Sequence, residues 1–101
     1  MALGLAHSYE LMVITDPELG EEATEALQER ITHLISQQGG ELKSTDPWGK
    51  RRLAYAIDGR AEGVYTLWTF ESSEHVPAEL SRQLRLTEGV LRHMIVRKDG
   101  E

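Results

Sequence analysis

The hydrophobic repeat of this chain switches between two residues and about 3.6 in a fixed order, and that order narrows the fold more than any other feature. Residues 9–15 (YELMVIT) are aromatic and β-branched and end at the turn pair Asp16-Pro17, which predicts a strand. Alternation sets Leu11 and Val13 on one side and Met12 and Ile14 on the other. Both sides are apolar, so the strand is either covered twice or has an open side awaiting a partner. Leu19, Ala23, Leu27, Ile31, Leu34 and Ile35 then recur at helical spacing. Glu21, Glu22 and Glu25 suit the positive end of a helix dipole, and Gly39-Gly40 supplies a stop. The helix is expected over about 18–38, with Asp16 or Gly20 as its cap.

From residue 41 to residue 57 the pattern is extended but broken by Pro47 and Gly49. Leu53, Tyr55 and Ile57 alternate with Arg52, Ala54 and Ala56, which predicts a strand with one apolar, core-facing side. A proline inside a strand implies an edge position or a bulge, and Gly49 beside it fits the bulge. Asp58-Gly59 signals a turn, with a return strand over 64–71. Val76, Leu80 and Leu84 mark a second, shorter helix that Ser72 or Ser73 can cap. A last strand covers 90–97. Residues 1–7 form an N-terminal extension and 98–101 a polar tail, so 1–101 is expected to be a single domain. The order is β-α-β-β-α-β. Right-handed crossovers favour one arrangement: an α+β, ferredoxin-like sandwich, with a four-stranded antiparallel sheet and two helices on one face. The other face is left bare.

Little in the chain points to catalysis. Cysteine is absent, so thiol chemistry and disulfides are excluded and a reducing compartment such as the cytoplasm fits. His7, His33, His75 and His93 are scattered without metal-ligand spacing, and no metal or other cofactor is expected. There is no Gly-rich phosphate loop and no serine in a nucleophile elbow. The helix carboxylates lie on a solvated face, where tuning toward acid–base work has no physical basis. No apolar run approaches the roughly 20 residues of a membrane span. We therefore expect no enzyme, no small-molecule substrate and no membrane partner.

Charge is unevenly spread. The net charge is −6, which argues against a protein that grips phosphates unaided. Residues 10–29 hold seven acids and no base, whereas Lys50, Arg51 and Arg52 form one basic cluster and Arg92, His93, Arg97 and Lys98 another. Such polarity suits a local phosphate-binding patch working beside a more basic partner; ordinary solvated surface charge is the competing reading. Tyr65, Trp68 and Phe70 lie on the expected third strand. RNA-recognition motifs stack bases on that strand, but their basic-Gly-aromatic signature is replaced here by Glu62-Gly63-Val64-Tyr65, so core or partner packing accounts better for the rings.

The run Trp48-Gly49-Lys50-Arg51-Arg52-Leu53-Ala54-Tyr55-Ala56-Ile57 resembles the signature of the bacterial small-subunit ribosomal protein six family: Gly, variable, basic, polar or charged, Leu, small, Tyr, variable, Ile. Nine consecutive residues, 49–57, fit it. The likeness extends in order through Tyr9-Glu10, Glu62-Gly63-Val64-Tyr65, Arg82-Gln83-Leu84-Arg85-Leu86 and Val90-Leu91-Arg92, covering about residues 8–98. Asp58, where the family prefers a basic or small polar residue, and Ala56, in place of a frequent proline, depart from it. The resemblance implies a ferredoxin-like fold and a non-catalytic subunit of the cytoplasmic ribosome. It further implies binding to the central domain of small-subunit ribosomal RNA as a heterodimer with the basic small-subunit protein eighteen. On that reading Lys50, Arg51, Arg52, Arg92, Arg97 and Lys98 are the RNA-binding candidates. Met12, Ile14, Pro47 and Trp48, on the bare face and a strand edge, are the partner-binding candidates. A ligand-binding regulatory module of the same fold, dimerising through its sheet, is the alternative from a different class, and no motif supports it.

Overall fold

The computed structural model describes residues 6–98. Its elements are β1 (His7–Thr15), a 3₁₀ turn (Pro17–Leu19), α1 (Glu21–Gln37), β2 (Glu41–Ile57), β3 (Arg60–Ser72), α2 (Val76–Arg85) and β4 (Val90–Arg97). All strand pairs are antiparallel, in the order β2-β3-β1-β4, which is the expected ferredoxin-like sheet. Of the extension 1–7 and the tail 98–101, residues 1–5 and 99–101 lie outside the described residues. His7 already belongs to β1, paired with Ser72. Lys98 donates its backbone N–H to the Ser8 carbonyl at 2.7 Å, carrying the β1–β4 ladder one residue past β4.

One side of the sheet makes the core. Tyr9, Leu11 and Val13 of β1 and Trp68 and Phe70 of β3 meet Leu27, Ile31 and Ile35 of α1 and Val76, Leu80 and Leu84 of α2. Both helices therefore bury their apolar stripes against the same face. Trp68, fully buried, sits opposite Leu11. Its indole N–H donates to the Thr32 hydroxyl at 2.9 Å, and that hydroxyl donates to the Gln28 carbonyl at 3.1 Å. The Gln28 side chain in turn donates to the Thr66 hydroxyl at 2.7 Å. Polar groups buried between α1 and β3 are thus satisfied, as a dry interior requires.

Both candidate caps of the first helix are used, each by a different element. The Asp16 carboxylate accepts from the Glu18 N–H at 2.9 Å and caps the 3₁₀ turn, while Gly20, at φ +85°, opens α1. The second helix departs from expectation. His75 is its N-cap, without a side-chain bond, and the Ser72 hydroxyl donates to the Ser73 carbonyl instead. Pro77 in the first turn has no N–H, which leaves one fewer donor to satisfy.

The β2–β3 hairpin also differs. Asp58 and Gly59 both have positive φ (+49° and +78°), the geometry of a two-residue hairpin turn, so β3 begins at Arg60 rather than near residue 64. Pro47 does lie on an edge strand, and the ladder slips beside it, between Pro47 and Gly49. A larger slip follows: Arg52 pairs with Glu62 and Ile57 with Arg60, so residues 53–56 face Ala61 alone. That excursion breaks the two-residue phase. Leu53 is buried, Ile57 is partly exposed, and Tyr55, expected in the core, is 78% exposed. Leu53 instead lies close to Gly63, where an added Cβ would collide with the Ile14 side chain and come within 3.6 Å of Leu53.

Replacing Thr32 with valine keeps the shape but strips Trp68 of its acceptor. The expected loss is about 1–3 kcal/mol of folding stability, read as a lower urea midpoint with an unchanged slope.

Candidate nucleic-acid interface

Residues directly opposite in the ladders share a face. On the side away from the helices this gives three rows across β2, β3, β1 and β4: Ser44–Thr69–Glu10–Val96, Asp46–Leu67–Met12–Met94 and Gly49–Tyr65–Ile14–Arg92. The middle of this face is apolar and its rim polar. Met94 is 59% and Val96 44% exposed, whereas Ile14 is closed off by the hairpin. Met12, Ile14, Tyr65, Arg92, His93 and Met94 line a shallow, open depression of about 290 Å³. Contiguous exposed apolar surface of this kind marks an interaction site more often than bare surface.

At the β2 edge the rings are engaged with one another. Trp48 lies parallel to Tyr65, 6.3 Å between centroids and 9° between planes. The Arg51 guanidinium stands 5.5 Å from the Trp48 ring and donates to the Trp48 carbonyl at 3.3 Å. The Trp48 indole donates to Asp46 at 3.2 Å. Stacking and cation–π contact at an exposed site contribute on the order of 1 kcal/mol each, enough to hold Trp48 flat on the sheet. The ring remains 41% exposed.

The basic clusters are dispersed rather than gathered. Alternation along β2 sends Lys50 and Arg52 to the helix side. Lys50 faces Glu21, Thr24 and Gln28 of α1, and its ammonium stands 4.0 Å from Glu62. Arg52 shares an open groove with Glu18, Lys50 and Glu62. Arg51 goes to the bare face. On β4, Arg92 lies on the bare face, while Arg97 shares a groove with Tyr9 and Pro77 on the helix side. Lys98 pairs with Glu10 at 3.6 Å. Exposed pairs of this sort contribute roughly 0–1 kcal/mol and yield readily to a phosphate. Of the six basic candidates, Arg51 and Arg92 alone share one end of the bare face, on opposite edges of the sheet, roughly 14 Å apart by three strand spacings. Pro47 pairs with Thr66 and so belongs to the helix side, away from Met12 and Trp48.

Several contributors were not singled out in the sequence. Met94 and Val96 were legible from the alternation of β4, which sets Arg92, Met94 and Val96 together. Leu67 joins Met12 through register, which no local pattern reveals, and register also sets Tyr65, already noted for its ring, opposite Ile14. The histidines serve separately. His7 meets Tyr9 edge-on, His75 caps α2, and the His93 Nε2 is 2.9 Å from the Ser81 hydroxyl. Among the described residues, no three His, Cys, Asp or Glu side chains converge on a metal position, and no helix is long and apolar enough to cross a membrane.

A bare apolar sheet face edged by arginines offers a surface suited to binding and assembly. The comparisons specify the family. The family model described as "Ribosomal protein S6" matches residues 8–97. The small ribosomal subunit protein bS6 of Caldanaerobacter subterraneus is 49% identical over 92 residues, spanning 91% of this chain and 97% of that one. A crystal structure of the 30S ribosomal protein S6 of Thermotoga maritima superposes with a TM-score of 0.89 at 30% identity, over 93% of this chain and 89% of that one. The C-terminal domain of the Mycobacterium tuberculosis MgtC protein, 17% identical with a TM-score of 0.61 over 92% of this chain and 88% of that one, shares the fold alone. The chain belongs to the ribosomal protein S6 family, structural proteins of the small ribosomal subunit and not enzymes.

His93 gives a pH test of the α2–β4 packing. Burial first, and the charge of Arg85 second, hold its imidazole below the ordinary histidine range. The unfolded chain then takes the proton more readily, so this contribution is intact above the ordinary value near 6.5 and is lost as pH falls through the lowered one. Between about pH 7.5 and pH 5 the urea midpoint should fall further in the wild type than in His93→Gln.

Proposed function

We propose that this chain is a non-catalytic structural subunit of the cytoplasmic ribosome that binds the central domain of small-subunit ribosomal RNA together with small-subunit protein eighteen. The bare sheet face is the observation that carries the reading. In a family of ribosomal proteins, an uncovered apolar face with an acidic remainder calls for a partner that brings both cover and positive charge. The partner seats on Met12, Met94, Leu67 and Tyr65, where apolar burial at roughly 25 cal/mol per Å² supplies the drive. Trp48, pinned by Tyr65 and Arg51, forms the wall of that seat at the β2 edge. RNA lies along the rim, drawn by Arg51 and Arg92 and, around the edges, by Lys50, Arg52, Arg97 and Lys98. The outer face of α1, where Glu22 and Glu29 are exposed, turns away from phosphates, because like charge would repel them.

The support is physical as well as familial. A chain of net charge −6 gains little from phosphate contact alone, since each neutralised phosphate needs its own cation. A heterodimer with a basic protein removes that difficulty. A regulatory module that dimerises through the same face would instead run as a free homodimer, so comigration with small subunits separates the two readings.

Two variants test the assignment. Met94→Glu places a charge on an exposed position of the apolar face and should leave folding stability unchanged while weakening heterodimer formation by about tenfold or more, measured by titration calorimetry. Replacing Lys50, Arg51 and Arg52 together with alanine should lower RNA affinity and flatten its dependence on salt. An unchanged salt slope would remove that cluster from the RNA footprint.

A further inference from the structure

Tyr55 has no work to do inside the molecule. The other large aromatic rings are accounted for: Tyr9 stacks on Phe70 in the core, Trp68 is bonded to Thr32, and Tyr65 and Trp48 cover one another. Tyr55 makes no ring contact or side-chain hydrogen bond and exposes 78% of its surface. Its position is not an accident of a frayed terminus. The ladder holds on both sides, Arg52 with Glu62 and Ile57 with Arg60, and the chain departs from it only over residues 53–56. Leu53 anchors that excursion beside Gly63. Arg60, at the base of the turn, is tied to Asp16 at 3.1 Å and to Glu18 at 3.4 Å. The hairpin end is therefore braced, and it presents an aromatic ring to solvent three residues after the Lys50-Arg51-Arg52 cluster.

From this geometry we infer that Tyr55 is a base-stacking residue, taking an unpaired base of the RNA. The inference rests on the RNA-binding reading above. An exposed ring on the same strand as Lys50, Arg51 and Arg52 suits an unstacked nucleotide, whose base presents a π-face whatever its identity. A protein contact is the competing use of the ring, and the cations favour RNA. Trp48 is a poorer platform, because Arg51 and Tyr65 already lie against its ring.

The test compares wild type, Tyr55→Phe and Tyr55→Leu as full-length chains, each with the partner protein, on the central-domain RNA. Tyr55→Phe should bind within twofold of wild type, and Tyr55→Leu about tenfold or more weakly with an unchanged salt slope. Heterodimer affinity without RNA should be equal in all three. Equal RNA binding by Tyr55→Leu overturns the inference, as does a loss of heterodimer affinity, which would make Tyr55 a protein contact. Absence of RNA binding by the wild-type pair overturns the RNA reading itself and the stacking role with it.

Discussion

Coverage on one side only is the constraint from which the rest of this molecule follows. Four strands offer two faces, and both helices settle on the same one. Trp68 shows why that side is committed: it is wholly buried, faces Leu11 across the ladder and hands its one polar hydrogen to Thr32 of α1. A core of this density leaves no room for exchange between faces. Met12, Leu67, Met94 and Val96 are therefore left on the face that the helices do not cover. The bare face is a consequence of the fold, and the proposed function uses it.

Electrostatics divides the molecule along different lines. Acids crowd the 3₁₀ turn and α1, while the bare face has Arg51 at one edge and Arg92 at the other. A phosphate backbone approaching the exposed acids of α1 meets repulsion, and one approaching Arg51 or Arg92 meets a cation. The ion pairs that hold Lys50 to Glu62 and Lys98 to Glu10 are exposed and weak, so they keep those cations oriented without removing them from use.

Much of this was legible in the sequence. The change of period along the chain identified each strand and both helices, and Pro47 marked the edge strand. Spacing marked Leu27, Ile31, Ile35, Val76, Leu80 and Leu84 as helix stripes and grouped Leu11 with Val13 on one side of β1, and all eight lie in the core. Bulges defeated the rest. The excursion at 53–56 shifts the phase of alternation, so Tyr55 was expected beside Leu53 and lies in solvent. The stack of Trp48 on Tyr65 depends on the slip at Gly49, which a sequence hints at but does not quantify. Three adjacent basic residues looked like one patch, yet a strand turns neighbours to opposite faces. Register and bulges are long-range properties, and local patterns do not carry them.

The claim that the bare face is the assembly surface is tested most directly by hydroxyl-radical footprinting of the free protein and of the protein within assembled small subunits. Met94 and Trp48 are exposed and oxidisable, and His33 on α1 serves as the internal comparison. Met94 and Trp48 should lose most of their reactivity on assembly while His33 keeps its own. Continued reactivity of Met94, with protection of α1 instead, would contradict that claim.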